Sequence, residues 1–181
     1  MSYHEIYFFV EGSDDERFLR TTVIPLIGEK YRCSLHKYSG MTKKKVENFL
    51  KSINAMDFAD YCFLGDINSS PCITKKKDSL IEIYEQKLDG NKVFIVIKEI
   101  ESWYLSGLDD NKCRDLGIKT FYETNSITKE QFNAMIPAKY DDSRIDFMSE
   151  VLKRFSIETA KSKNNSFQYF IGKLQTRFGK V

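Results

Sequence analysis

Four carboxylates in this sequence follow or end apolar segments, and together they have the chemistry of a metal site. Glu11 and Asp66 each lie at the end of an apolar run in the first half of the chain, and Glu99 and Glu101 come directly after a later one. Crowded carboxylates repel one another and raise each other's proton affinity unless a cation neutralises them. Oxygen ligands without a nearby histidine favour a hard ion over zinc, so we expect Mg²⁺ or Mn²⁺. A single acid in such a position often caps a neighbouring helix instead.

The elements that must position these acids alternate between strands and helices. Apolar runs predict strands at residues 4–10, 32–38, 60–66 and 91–98. Helices are predicted between them, and the first begins at Ser13 because Ser13-x-x-Glu16 fits a capping box. Strands joined by helices form a mainly parallel sheet, so the predicted fold class is α/β, a Rossmann-like four-stranded sheet flanked by helices. Ligands bind beyond the carboxyl ends of such strands, where the acids are expected to meet.

The pattern changes to helices alone after Lys98. Two apolar stripes recur at helical spacing: Ile145, Met148, Val151, Leu152 and Phe155 in one, and Phe167, Phe170, Ile171 and Leu174 in the other. Such stripes are more often core packing than a partner surface. We therefore divide the chain into an α/β core of residues 1–107 and a helical C-terminal extension of residues 108–181, packed on the same core.

The segments FFVEG and FLGDIN resemble the motifs of the Toprim domain. That domain occurs in topoisomerases, bacterial primases, small maturation ribonucleases and the overcoming-lysogenization-defect nucleases, with a glutamate after the first strand and an Asp-x-Asp pair after the third. The resemblance covers roughly residues 3 to 105 and implies that Glu11 is a metal ligand or general acid/base and Asp66 a metal ligand. Asn68 replaces the second aspartate. Its amide oxygen can coordinate a metal but brings no charge.

Glu99 and Glu101 are candidates to restore the missing charge, as a second metal site or an outer shell. On a helix, residues two apart diverge by about 200°. On a strand, both would face one way. Lys98 is a candidate to neutralise transition-state oxygens, although it could equally be a solvated strand-end residue. Segments EIESWYL and NNSFQYF further resemble small stand-alone Toprim-like proteins, some of them encoded beside ATPases in phage defence.

Two lysine triplets, Lys43-Lys44-Lys45 and Lys75-Lys76-Lys77, occupy the first turns of predicted helices. The helix dipole disfavours a cation there by about 0.3–1 kcal/mol. A polyanion such as nucleic acid would offset that cost, although charge runs are usually just solvated. Tyr38, Tyr61 and Trp103 are candidate stacking faces for bases.

These features favour a divalent-metal-dependent phosphodiester hydrolase acting on DNA or RNA, and the resemblance adds phage defence with a partner ATPase. The alternative is a binding or sensing module that has lost catalysis, which Asn68 favours. A phosphotransferase is disfavoured because no Gly-x-Gly-x-x-Gly or P-loop pattern occurs. Triad hydrolysis is disfavoured because His4 and His36 are the only histidines.

Composition narrows the class of protein further. The sequence is 41% hydrophobic and 14% aromatic, which supports a packed core and argues against a disordered chain, whereas the net charge of +2 excludes no class of partner. No apolar run approaches the roughly 20 residues of a membrane span, and the N-terminus lacks a signal peptide's basic start, so we expect a cytoplasmic protein without membrane contact. The four cysteines are scattered and predict no disulfides. Zinc at Cys33-x-x-His36 is disfavoured because strand residues three apart face opposite sides.

Overall fold

The computed structural model describes residues 4–28, 30–85 and 87–179 and divides into two compact units, Met1–Val96 and Ile97–Val181. The division falls earlier than the predicted boundary after residue 107. The reason is that the helix Glu101–Ser106 makes its contacts with helices of the second unit. Among the described residues, no helix is long and apolar enough to span a membrane.

The first unit is built on a four-stranded sheet in which every pair of neighbouring strands is parallel. The strands are β1 (His4–Val10), β2 (Tyr31–Lys37), β3 (Ala59–Asp66) and β4 (Val93–Val96), in the spatial order β2-β1-β3-β4. The predicted α/β, Rossmann-like class is confirmed. The chain leaves β1 towards β2 on one side and returns to β3 on the other, so the topological switch point lies between β1 and β3.

Helices cover the sheet of the first unit. They are α1 (Ser13–Phe18), continued by a π-helical segment (Leu19–Val23), α2 (Ile24–Ile27), α3 (Lys43–Asn54) and α4 (Ile73–Ile83). Thr42 caps α3 by accepting a hydrogen bond from Lys45 N at 3.3 Å. Val46 and Leu50 of α3 are fully buried against the aromatic side chains of Phe9 and Phe63 from the central strands. Burial of this apolar face holds α3 against the sheet.

The start of α1 is predicted correctly, but the capping pair is wrong. Gly12 is the N-cap residue, and its N–H donates to Asp15 Oδ2 at 3.0 Å. Glu16 instead pairs with Arg20 at 2.7 Å. The box is shifted by one residue because the Asp15 carboxylate lies three residues after Gly12 and reaches its backbone.

The strand β4 is shorter than the predicted run of residues 91–98. A 3₁₀ turn at Gly90–Lys92 precedes the strand. Lys98, two residues beyond its end, has φ of +65°. Glu99 therefore does not continue the strand, and Glu101 already begins a helix. Glu99 and Glu101 therefore lie neither on one helix nor on one strand.

Within its described residues, the second unit is entirely helical, as predicted. Its helices are α5 (Glu101–Ser106), α6 (Asp110–Leu116), α7 (Lys129–Asn133), α8 (Arg144–Lys153), α9 (Ile157–Lys163) and α10 (Asn165–Phe178). The α10 stripe is fully buried, whereas Ile145 of the α8 stripe is 54% exposed. A capping box formed by Thr128 and Gln131 starts α7.

A buried polar network occupies the interior of the second unit. Asn164 Nδ2 donates to Ser102 Oγ at 3.3 Å and to Thr124 Oγ1 at 3.1 Å, and its Oδ1 accepts from Ser166 Oγ at 2.8 Å. Trp103 Nε1 also donates to Ser166 Oγ, at 2.8 Å. The polar residues of the SWYL and NNSF segments therefore satisfy one another, which is a structural role.

Gly107 lies so close to Phe155 that a side chain does not fit. A Cβ on Gly107 would lie 2.2 Å from Phe155 Cδ2, and the hydrogen bond from Ser156 N to Gly107 O, 3.0 Å long, holds the two segments together. We expect Gly107→Ala to lower the free energy of unfolding by about 1–3 kcal/mol, measured by urea denaturation. The control is Gly172→Ala on α10, where no atom lies within 4 Å of the new Cβ. That variant should gain about 0.5–1 kcal/mol, and equal effects of the two changes would contradict the overpacking argument.

Candidate active site at the carboxyl ends of β1 and β3

Glu11 and Asp66 meet at the topological switch point of the first unit. Glu11 directly follows β1, and Asp66 is the last residue of β3. The Asp66 backbone N–H donates to Glu11 Oε2 at 3.4 Å. The Glu11 carboxylate therefore contacts the backbone of a residue that lies 55 positions later in the sequence, at the end of β3.

Tyr38, which directly follows β2, completes this end of the sheet. Its hydroxyl donates to Glu11 Oε2 at 3.4 Å, and its ring stacks on Phe63 with centroids 4.5 Å apart. The pKa of Tyr38 is raised, first by burial and then by the negative charges of Glu11, Asp15 and Asp66. Tyr38 thus remains a protonated hydrogen-bond donor, and its ring is a packing element instead of the predicted stacking face for a base.

Tyr84 is a second tyrosine on which carboxylates act, in this case Glu11 and Glu47. Burial, followed by the charges of Glu11 and Glu47, raises the pKa of Tyr84. Glu47 is a buried carboxylate on α3, and its Oε1 lies 3.5 Å from Lys43 Nζ. Negatively charged side chains therefore act on both tyrosines.

Gly65 allows side chains to approach the end of β3 closely. A Cβ on Gly65 would lie 3.3 Å from Leu80 Cδ1, 3.4 Å from the Tyr38 hydroxyl oxygen and 3.9 Å from Lys76 Cε. The stem of Lys76 therefore passes the residue that precedes Asp66. Of the six lysines predicted to bind nucleic acid, Lys76 is the one that these contacts place beside Gly65, the residue before Asp66.

The other lysines of the triplets have different environments. Lys43 Nζ lies 3.4 Å from Glu85 Oε1 in addition to its contact with Glu47, and Lys77 donates to Gly90 O at 3.2 Å. Lys44, Lys45 and Lys75 are exposed. Both triplets lie at helix starts as predicted, but the six lysines differ in their exposure and in their contacts.

Three predicted site residues lie in the second unit. Glu101 is 3% exposed and accepts a hydrogen bond from Arg144 Nη2 at 2.5 Å. Glu99 Oε2 accepts from Lys129 N at 2.5 Å. Lys98 is exposed and lies in the turn between β4 and α5. Both acids therefore have their own partners within that unit.

Asn68 lies in the turn that follows β3. It is exposed and has φ of +49°, a left-handed conformation that asparagine tolerates better than most residues. This conformational demand gives Asn68 a structural reason to be present, besides the ligand role implied by the family resemblance.

Like Tyr38, the other two predicted stacking faces are wrong. Tyr61 and Trp103 are fully buried, and the Tyr61 hydroxyl accepts a hydrogen bond from Asp89 N at 2.7 Å. Aromatic burial outweighs exposure here because large rings contribute most to a small core. All four cysteines are free thiols, as predicted.

His36 of β2 is a neutral ring at physiological pH. Burial and, to a lesser extent, the charge of Lys45 lower its pKa below the ordinary value of 6.5. The unfolded chain therefore binds a proton more readily, so the free energy of unfolding falls as the pH drops below about 6.5. We expect His36→Gln to lose part of this acid sensitivity in urea denaturation at pH 5.5 and pH 7.5. An unchanged pH profile in the variant would contradict the assignment.

The donor chemistry of Glu11 and Asp66 fits a magnesium-like ion, which retains several waters and needs only one or two carboxylates from the protein. Both contacts to Glu11 use Oε2, so the carboxylate is oriented by backbone and hydroxyl donors. Throughout residues 4–28, 30–85 and 87–179, no group of three or more His, Cys, Asp or Glu side chains has the arrangement of a metal site. In such a site, Glu11 and Asp66 would supply the two carboxylates, and water would complete the coordination of the ion.

Sequence reasoning missed Tyr38 and Glu47 as parts of this environment. Tyr38 could have been found from the sequence, because it directly follows β2 and so lies at the same carboxyl end of the sheet as Glu11. Glu47 carries no such signal, since an acid within a lysine-rich helix is usually solvated.

The fold and the site together define an α/β, Rossmann-like protein with paired acids at the switch point of its sheet. We compared the chain with protein-family models, with curated proteins and with solved structures, and none of the three comparisons finds a match. The Toprim relationship therefore stays a prediction based on the motifs.

Proposed function

We propose that the first unit carries a divalent-metal-dependent phosphodiester hydrolase that acts on DNA or RNA. The observation that carries this proposal is the meeting of Glu11 and Asp66 at the switch point, with Glu11 Oε2 3.4 Å from Asp66 N. Ligands of open parallel sheets bind at that position. Glu11, Asp66 and the oxygen of Asn68 form the proposed ligand set for Mg²⁺ or Mn²⁺.

In this proposal the cation, when bound, activates water and offsets charge at phosphorus. The chain's own residues orient the reacting groups. The Tyr38 hydroxyl and the Asp66 N–H hold Glu11 Oε2, and the raised pKa of Tyr38 keeps that hydroxyl protonated as a donor. Lys76, whose stem lies beside Gly65, is the cation best placed to bind a substrate phosphate.

The substrate and the cellular setting are further parts of the proposal. The lysines at the starts of α3 and α4 lie at the carboxyl-end edge of the sheet and suit a polyanion. The Toprim resemblance supplies the phage-defence setting and the partner ATPase, and the proposed cytoplasmic location comes from the sequence pattern.

A binding or sensing module without catalysis is the second candidate. Two observations favour this module. Within the described residues no three ligating side chains cluster, and Asn68 stands in place of an acid. Such a module would bind nucleic acid in the absence of metal and would not cleave it.

The deciding experiment is a cleavage assay on labelled single-stranded and duplex DNA and RNA. Each substrate is incubated with the purified chain in Mg²⁺, Mn²⁺ or EDTA. We expect cleavage with Mn²⁺ or Mg²⁺ and none in EDTA. Binding without cleavage of any substrate would overturn the hydrolase and support the module.

A further inference from the structure

An open groove on the first unit combines aromatic rings with exposed cations. One cleft lies along α3 and is lined by Thr42, Lys44, Lys45, Asn48, Phe49 and Ser52. A second cleft lies on the sheet face and is lined by Glu5, Tyr7, Arg32, Ser34, His36 and Phe49. Phe49 lines both, so the two clefts meet at that ring. We call the two together the aromatic–basic groove.

Three rings form the floor of this groove. The centroids of His36 and Phe49 are 4.9 Å apart, and those of Tyr7 and His36 are 5.8 Å apart with nearly parallel planes. The fully buried Phe9 supports them from below, 5.7 Å from His36. The three floor rings are only partly buried, because β2 is an edge strand with no fully buried residue.

The charges around the groove are mainly positive. Within the described residues neither Lys44 nor Lys45 has an ion-pair partner, whereas Lys43 has both Glu47 and Glu85. The side chain of Arg32 is 79% exposed and lies 4.0 Å from Glu5, the one acid in the lining. The charge of Lys45 also acts on His36, which locates that cation at the junction of the two clefts.

We propose that the aromatic–basic groove binds single-stranded nucleic acid, with bases stacked on Phe49, His36 and Tyr7 and phosphates paired with Lys44, Lys45 and Arg32. The inference rests on the proposed function, because it names the form of nucleic acid that the hydrolase would act on. Aromatic rings set between cations are the means by which proteins bind single strands without reading sequence. A duplex keeps its bases stacked on one another and does not offer them to such rings.

The test measures binding in EDTA, so that it does not depend on metal or on cleavage. Fluorescence anisotropy is recorded with labelled oligothymidylate, oligouridylate and a duplex of the same length. We expect both single strands to bind more tightly than the duplex. Phe49→Leu should weaken single-strand binding by about tenfold, because one stacking face is lost. Lys44→Gln/Lys45→Gln should reduce the slope of log K against log salt by about 1.4, since each lost phosphate contact contributes about 0.7.

Lys51→Gln is the matched control, because Lys51 is an exposed lysine of α3 outside the lining of the groove. The double lysine variant keeps the test decisive if Phe49→Leu disturbs packing on Phe9. The inference is overturned if the duplex binds as tightly as the single strands, or if Lys51→Gln changes binding as much as the groove variants. It is also overturned if the groove variants abolish self-association of the chain instead of nucleic-acid binding.

The two proposals can fail separately in this design. Metal-dependent cleavage that the groove variants leave unchanged would refute the groove and retain the hydrolase. Groove-dependent binding by a protein that cleaves nothing in any metal would refute the hydrolase and retain the groove.

Discussion

Glu11→Gln protein is expected to cleave nucleic acid in Mn²⁺ about 100-fold more slowly than the wild type, or not at all. The amide removes the negative charge that a divalent ion requires, and loss of a single supporting group at a metal site already costs about 10–100-fold. Its oxygen can still accept from Asp66 N and the Tyr38 hydroxyl, so the local geometry is retained. Initial rates at saturating Mn²⁺ and titration calorimetry of Mn²⁺ binding measure the two effects separately.

The control for this prediction is Glu16→Gln on the neighbouring helix α1. Glu16 makes surface ion pairs with Arg20 and Lys37, so its loss should leave cleavage within about twofold of the wild type. In EDTA, Glu11→Gln should be at least as stable as the wild type, because one of the charges surrounding Tyr38 has been removed. A Glu11→Gln protein with full activity would refute the proposed active site.

Arg144→Met is expected to lower the free energy of unfolding by about 3–5 kcal/mol, because it leaves a buried carboxylate without its cation. Glu101 is 3% exposed and lies 2.5 Å from Arg144 Nη2. Arg144 Nε also donates to Asn133 Oδ1 at 2.7 Å, and its guanidinium lies 5.5 Å from the Phe132 ring centroid. The arginine therefore connects α5, α7 and α8, and urea denaturation of the purified variant measures its contribution.

Two further variants separate the buried charge from simple loss of an arginine. Arg154→Met removes one of the two cations that pair with Glu150, from a partly exposed pair with the same 2.5 Å separation, and should cost much less than Arg144→Met. Replacing both Glu101 and Arg144 by methionine should recover most of the stability lost in Arg144→Met, because no charge is then left buried. If Arg144→Met costs no more than Arg154→Met, the ion pair has no structural importance. Glu101 would then again be a candidate metal ligand.

The behaviour of Glu101 shows where sequence reasoning reaches its limit. Its position after an apolar run predicts a site acid as well as the position of Glu11 does. The partner that occupies it, Arg144, lies 43 residues away, and no local pattern links the two. A periodic pattern reports which face of an element is buried, but it does not report which polar group on another element will meet it.

The sequence by itself determined the parallel α/β sheet, the positions of Glu11 and Asp66 at the carboxyl ends of its strands, and the buried stripe of α10. These features depend on the spacing of apolar residues along the chain and on the handedness of strand–helix–strand connections, which are local properties. Only the tertiary structure decided that Asp15 rather than Glu16 caps α1, that β4 ends at Val96 and that Tyr38 holds Glu11. It also decided that Phe49 joins two clefts at the β2 edge. These outcomes depend on packing between distant segments, where differences of a few ångströms select one hydrogen-bond partner over another.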